Sequence, residues 1–284
     1  MDIYEEITYD KTAWAEQKNA QRDAVYAKID SYLDNAAVDP GMLQTYLDVQ
    51  AQFPMCSVSN AVLIAAQRPE ATEYHTFDDW KKKEVSVNKG EQSFSMLVPN
   101  GTYTGKDGKT HTSFDVQKVF DISQTNSKAG PKKPDLRFIL KAMLMRPVCP
   151  LEVSEQQSGA AFVSQENKIV IGKGMILEDT LETLSMALAH GEMNKSIPDY
   201  KPGLPQNSFY ARCVSYMVCR HYGVDPKTYN FSDMRMVLGN CNSKELRGHL
   251  ETIRSTARLL IDRVEKAKTT LLNLNKTEQD RDSR

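Results

Sequence analysis

Residues 181–195, LETLSMALAHGEMNK, place a histidine, carboxylates and an amide at helical spacing. In the helical pattern H-E-x-x-H, two histidines one turn apart hold zinc, and the glutamate after the first activates water. Here the five positions read His190, Gly191, Glu192, Met193 and Asn194. Glu192 does not replace the missing base. Successive helical residues are rotated by roughly 100°, so His190 and Asn194 share a face while Glu192 points about 200° round from His190. An amide is also a poorer zinc ligand than imidazole. The segment keeps one ligand of two and no base, and taken alone His190 reads as a hydrogen-bonded, half-buried histidine.

A second group of residues suits a polyanion. Trp80 is followed by Lys81, Lys82 and Lys83, with Lys89, Lys118, Lys132 and Lys133 further along, and Phe94, Tyr103, Phe114 and Phe120 fall on expected strands. Single-stranded nucleic acid needs cations for its phosphates and flat apolar faces for its bases. The competing expectation is structural: the phenylalanines and Trp80 as core, the lysine run as a solvated face. Charge sharpens the contrast. Residues 1–79 carry 5 Lys/Arg against 14 Asp/Glu, a net of -9, whereas residues 80–146 carry 13 against 6, a net of +7. A basic block inside an acidic chain is a plausible electrostatic footprint for nucleic acid.

The elements that must hold these groups follow from pattern. Helices are expected over 12–33, over 40–53 behind the Asp39-Pro40 cap, over 59–67 and over 76–83. Strands are expected over 85–98 and 102–125, with Lys106-Asp107-Gly108-Lys109 as a type I′ hairpin turn. Residues 126–135, NSKAGPKKPD, read as a linker. Beyond it come a helix over 136–145, a hairpin over 160–171 turning at Glu166-Asn167, a helix over 178–193, and another over 209–222 closed by Gly223. Residues 243–274 carry apolar side chains in an unbroken four-three alternation from Leu246 to Leu274. That stripe suits packing along the helix's own domain or a self-association seam, and the tail after Asn275 is expected to be disordered.

With 284 residues and 40% hydrophobic content, two domains are expected. No stretch approaches a membrane span and the acidic start, MDIYEEITYD, is unlike a secretory signal, so a cytoplasmic protein without membrane contact is expected. The five scattered cysteines, with no C-x-x-C pair, indicate neither disulfides nor a cysteine zinc site. Phosphate-binding glycine loops and nucleophile elbows are absent.

The order of short motifs from Asn60 to Thr125, namely NAVLIAAQRPEAT, Trp80, VNKGE, LVP and VFDISQT, resembles the N-terminal domain of ArdC-type antirestriction and LtrC-like proteins of plasmids and conjugative elements. The likeness covers roughly residues 10–240. It implies a single-stranded-DNA-binding domain followed by a zincin-like metallopeptidase domain. ALAHGEMNK stands where such proteins show H-E-x-x-H, and ARCVSYMVCRHYGVD resembles the later helix that supplies their third metal ligand. Gly191 at the base position, Asn194 at the second ligand and no carboxylate near Ala211 together imply that zinc and hydrolysis have been lost.

The expected fold is therefore α+β. A domain over 1–127 has helices and a small antiparallel sheet; a degenerate zincin-like domain over 136–242 is mostly helical with a short hairpin; residues 243–284 form a long helix and a tail. The expected function is a non-catalytic, cofactor-free single-stranded-DNA-binding accessory protein, with Trp80, Lys81, Lys82, Lys83, Lys89, Lys118, Lys132 and Lys133 as its contacts and His190, Gly191 and Asn194 as a vestigial site. The alternatives are a protein-binding scaffold that uses the vacated cleft and terminal helix, and an active metallopeptidase with unorthodox ligands such as His221, Cys213 or Cys219.

Overall fold

Caps legible in the sequence start the first helices. The computed structural model describes residues 11–127, 134–225 and 228–282. The described chain opens with α1 (Lys11–Ala36), α2 (Pro40–Gln52) and α3 (Val58–Gln67). The Asp39 carboxylate accepts from the Gly41 N–H at 2.8 Å, Pro40 occupies the first turn of α2, and Ser57 caps α3. After β1 (Tyr74–His75), Thr76 caps the short α4 (Phe77–Lys82), which carries Trp80.

Two long strands follow, β2 (Phe94–Thr104) and β3 (Thr110–Asp121), in an antiparallel sheet of order β1-β3-β2. Both expected strand ends move inward. Of residues 85–93 only Val87 pairs, in a single bridge to Thr125, because Gly90 (φ 90°) turns the chain after Asn88. β3 stops at Asp121, where Asp121 and Gln124 form a capping box around a 3-10 turn at Ile122–Gln124. The hairpin turn is not type I′, which needs two consecutive positive φ angles. Within the turn only Gly108 has one, at 73°. The Gly105 N–H donates to Lys109 O at 2.8 Å and the Gly108 N–H to Gly105 O at 3.0 Å, a type I turn closed by a glycine bulge.

Side-chain amides hold this hairpin against the helices. Asn60 donates to Leu97 O at 2.9 Å and accepts from Leu97 N–H at 2.9 Å; two helical turns on, Gln67 does the same for Ser95, at 3.0 and 3.1 Å. Seven residues of helix, about 10.5 Å, span the roughly 7 Å between Ser95 and Leu97 with some tilt. The outer edge of β2 is thereby satisfied by α3 instead of by another strand. β2 is buried from Phe94 to Leu97 and exposed from Pro99 onward, so the distal hairpin projects as an arm.

The second half contains α5 (Leu136–Met145), capped by Asp135, then β4 (Leu151–Ser154), β5 (Ala160–Val163) and β6 (Lys168–Gly172). Instead of a lone hairpin these make a three-stranded sheet of order β4-β6-β5, with β4 parallel to β6. β4 carries only a two-residue apolar alternation, Leu151 and Val153, too short to announce a strand, and Val153 is 60% exposed. α6 (Leu177–Ser196), α7 (Pro205–His221) and α8 (Met234–Leu238) precede the 40-residue α9 (Ser243–Asp282).

α9 resolves the choice left open by its stripe. Leu246, Leu250, Ile253, Ala257, Leu260, Ile261, Val264 and Ala267 are all buried against α1, α3, α5, α6 and α7. Each large aliphatic contributes about 1.5–3 kcal/mol by leaving water, so the stripe is spent within the protein from Leu246 to Ala267, whereas Leu271 is half-buried and Leu274 exposed. The helix also continues to Asp282 instead of fraying after Asn275, since Lys, Glu and Gln sustain a helix without a breaker. The two halves meet along α2 and α7, where Asp48 accepts from Tyr216 Oη at 2.8 Å and Arg220 Nε at 2.7 Å. The fold is α+β, and no described helix is long and apolar enough to cross a membrane.

The amide clamp gives a direct test. Asn60→Ala leaves the Leu97 N–H and C=O without partners at a buried position and should cost about 1–3 kcal/mol of unfolding free energy, read as a lowered urea midpoint with an unchanged m-value.

Candidate functional site

Of the eight residues expected to contact nucleic acid, few are free to do so. Trp80 is 2% exposed; its Nε1 donates to Phe120 O at 2.9 Å and the His75 ring meets it edge-on at 4.6 Å. It anchors α4 to β3 and offers no stacking face. Lys82 pairs with Asp79 at 2.8 Å, Lys83 with Glu73 at 2.7 Å and His75 at 2.6 Å, and Lys118 donates to Ser95 Oγ at 2.8 Å. Lys81 and Lys89 are exposed without a carboxylate partner among the described residues, and Lys132 and Lys133 lie outside them. Phe94 is buried and Phe114 packs partly against the core.

A cation and open aromatic surface converge elsewhere, between α1 and the arm, where Arg22 donates to Asn19 Oδ1 beside the cleft. A cleft of about 590 Å3 is lined by Arg22 and Tyr26 from α1 and by Asn100, Thr102, Tyr103, Thr112 and Phe114 from β2 and β3. Tyr103 is 56% exposed and stacks on His111 at 5.5 Å and 28°. Asp107 holds that imidazole from the turn, at 3.0 Å, leaving Lys106 and Lys109 at the tip without a carboxylate partner among the described residues. Sequence reading placed Tyr103 on a strand but missed Arg22 and Tyr26, which sit in the acidic front of the chain some eighty residues from the arm.

The helix with the incomplete zinc pattern is α6. His190 Nδ1 lies 2.6 Å from Tyr200 Oη, and burial pushes its pKa down to about 4. Asn194 shares that face, as the helical rotation requires, and donates to Asn167 Oδ1 at 3.4 Å. Gly191 is pressed against Val148: a Cβ there would lie 2.6 Å from Val148 Cγ1. Glu192 points to the other side, is 5% exposed and forms an ion pair with Arg263 of α9. At the expected third-ligand position Ala211 is fully buried, and Tyr210 beside it bonds His249 and Gln206. The substitute ligands fare no better. His221 bonds Ala51 O at 2.8 Å, Cys213 is enclosed, and Cys219 contacts Ser185.

The motifs that order the front half reappear as the residues that knit it: Asn60 and Gln67 on the β2 edge, Trp80 on β3, and Asp121 and Gln124 at the β3 end. Residues 2–143 match the family model described as the N-terminal domain of anti-restriction factor ArdC. The chain belongs to the ArdC anti-restriction family. Among known proteins, the uncharacterized protein pXO2-81 of Bacillus anthracis is 25% identical over an alignment of 268 residues. The match takes in 72% of this chain and 43% of that protein, so the chain spans less than half of its relative's length. Two crystal structures of the antirestriction ArdC protein from plasmid R388 are also similar. The metal-free form has a TM-score of 0.48 at 15% identity, covering 73% of this chain and 85% of that one. The Mn(II)-bound form has 0.47 at 14%, covering 72% and 84%.

The residues on α6 do not fit a metal centre. Glu192 is turned away, Asn194 offers an amide, and Val148 fills the space a side chain at position 191 would need. Among the described residues no three His, Cys, Asp or Glu side chains converge as a metal centre requires.

Two measurements check this geometry. Gly191→Ala should destabilise the fold by about 1–3 kcal/mol through overpacking, in spite of alanine's better helix propensity, and Val148→Ala in the same chain should recover much of the loss. For His190, a folded value of about 4 against an unfolded value of about 6.5 keeps the native ring neutral while the unfolded chain takes up a proton. Stability should therefore fall as pH drops from about 6.5 to about 4 and be unaffected by this group above that window. His190→Gln should flatten that acid limb by on the order of 2–3 kcal/mol, measured as urea midpoints against pH, with His249, lowered by burial, leaving a residual slope.

Proposed function

We propose that this ArdC-family chain is a non-catalytic single-stranded-DNA-binding accessory protein of a mobile genetic element, and that the α6 half serves as a scaffold. The observation that carries the reading is the α1–arm cleft, where Arg22, Tyr26, Tyr103 and Phe114 line one open groove. Phosphates are held by cations and unpaired bases by aromatic faces, so such a groove accommodates single strands of varied sequence. Lys106 and Lys109 extend the positive surface along the arm. The non-catalytic part of the reading is supported by the dispersal of the metal donors on and around α6. A family member that keeps the helix while filling its reactive positions with packing contacts retains a structural part of the fold.

Fluorescence anisotropy of a labelled oligonucleotide across a salt series tests the cleft. Arg22→Ala should reduce the slope of log K against log salt by about 0.7. Tyr103→Ala should weaken binding by about five- to a hundredfold, the worth of one stacked base, with the slope unchanged. Lys82→Ala and Lys83→Ala should change little, because both ammonium groups are already paired. Full affinity in both cleft variants would sink the placement. Cleavage of an unfolded protein substrate in added Zn(II) or Mn(II), abolished by His190→Ala, would sink the non-catalytic reading.

A further inference from the structure

The buried stripe of α1 continues past the point where the protein stops covering it. Val25, Ile29, Tyr32, Leu33 and Ala36 face the core, and stepping back from Val25 by three, four and four residues reaches Arg22, Lys18 and Trp14. A stripe packed against protein would carry aliphatics at those positions. Here it carries two cations and an indole. From Ala13 to Ala24 no residue is buried, and only Lys18 and Arg22 are half-covered. The arm meets this face at Arg22 and Tyr26, opposite the bulge that Asn100 makes in β2 between the Pro99–Phe114 and Gly101–Ser113 pairs.

Trp14, Lys18, Arg22 and Tyr26 stand in one row. Each is four residues from the next, the spacing of a side-chain ridge, and at 1.5 Å per residue the row is about 18 Å long. Trp14 is 49% exposed, and the Lys18 ammonium lies 5.8 Å from its ring centroid. Lys18 has no carboxylate partner among the described residues, and the acidic residues of this stretch, Glu16 and Asp23, are rotated from it by roughly 140–160°. A stacking face beside a cation is the pairing that one nucleotide, with its base and phosphate, requires. Arg22 and Tyr103 bring the same two components together inside the cleft. We propose that the bound single strand leaves the cleft along α1, stacking a further base on Trp14 with the adjoining phosphate on Lys18. Both charges on the row are positive and the row runs on from the cleft, so charge and continuity favour the strand as its occupant. The inference rests on the single-strand reading above and extends its footprint from the cleft to the outer stretch of the same helix.

The chain has two tryptophans and Trp80 is enclosed, so quenching of a surface indole reports Trp14. The full chain is titrated with a labelled thymidine oligomer of about sixteen nucleotides, the upper end for single-strand sites, while anisotropy and tryptophan emission are followed together. Emission should be quenched in parallel with the anisotropy rise. Trp14→Phe should abolish the quenching and keep most of the affinity, because a phenyl ring still stacks, whereas Trp14→Ala should weaken binding by about five- to a hundredfold. Lys18→Gln should lower the slope of log K against log salt by about 0.7. Urea midpoints of the three variants should match the wild type, since both side chains project from the uncovered stretch. Saturable binding with unchanged emission, and full affinity in Trp14→Ala, overturns the outer path and leaves the cleft reading in place. Emission that shifts with protein concentration before any oligomer is added overturns it in favour of a self-association face. Failure of the wild type to bind the oligomer overturns this inference together with the single-strand reading.

Discussion

Two amide side chains on one helix determine where the arm of this protein can stand. Asn60 and Gln67 give α3 the hydrogen-bonding capacity of a neighbouring strand, and β2 uses it at Leu97 and Ser95. A sheet edge normally leaves backbone groups open to water or to another chain; here they are consumed by the helix that also packs the core. The consequence is directional. Once Ser95 and Leu97 are pinned, the rest of β2 can only continue outward, past the bulge at Asn100 and over α1. The arm therefore continues outward from the helical layer, and its cleft lies between the arm and α1.

The same economy explains the family motifs. Asp121 is 1% exposed and accepts from the Thr72 and Glu73 N–H groups at 2.8 and 3.2 Å and from Ser123 N–H at 2.9 Å. Burial alone would raise its carboxyl, but hydrogen bonds from Ser123, Thr72 and Glu73 hold it below its ordinary value. Gln124 reaches back to Glu91 and the Gln92 carbonyl, both at 2.9 Å, and Asn88 bonds Thr125 O at 3.2 Å. Asp121, Gln124 and Thr125 are thus buried polar groups whose hydrogen bonds are satisfied within the fold. They report the fold faithfully, and they are not the residues placed to touch a ligand.

How much could be read in advance divides along the same line. The cap at Asp39, the α5 boundaries, the Gly223 stop and the outward turn of Glu192 all follow from local rules, because each depends on a few neighbouring residues or on the helical rotation. What failed depended on distant partners. The +7 block looked like one surface, yet Lys83 pairs with Glu73 and Lys118 with Ser95, neighbours whose positions only the fold reveals. β4 is a strand because β6 lies beside it, not because of its composition. Arg22 and Tyr26 carry no signal in a helix whose basic and acidic residues balance, and become cleft residues only when the arm arrives over them.

α6 bears on that cleft through α9. Val148 against Gly191 and Arg263 against Glu192 are packing and ion-pair contacts that fix α6 to the segment after α5 and to the terminal helix. Removing Arg263 would strand a buried carboxylate, the costly way to break such a pair. The same α9 reaches α1 at its other end, where Arg247 pairs with Asp30 at 3.0 Å and Ser243 N–H donates to Asp34 at 3.0 Å. One helix thus joins α6 to the wall that carries Arg22 and Tyr26. In the proposed reading, the peptidase-like half is kept because it holds α9, and α9 is kept because it holds one side of the cleft against the arm.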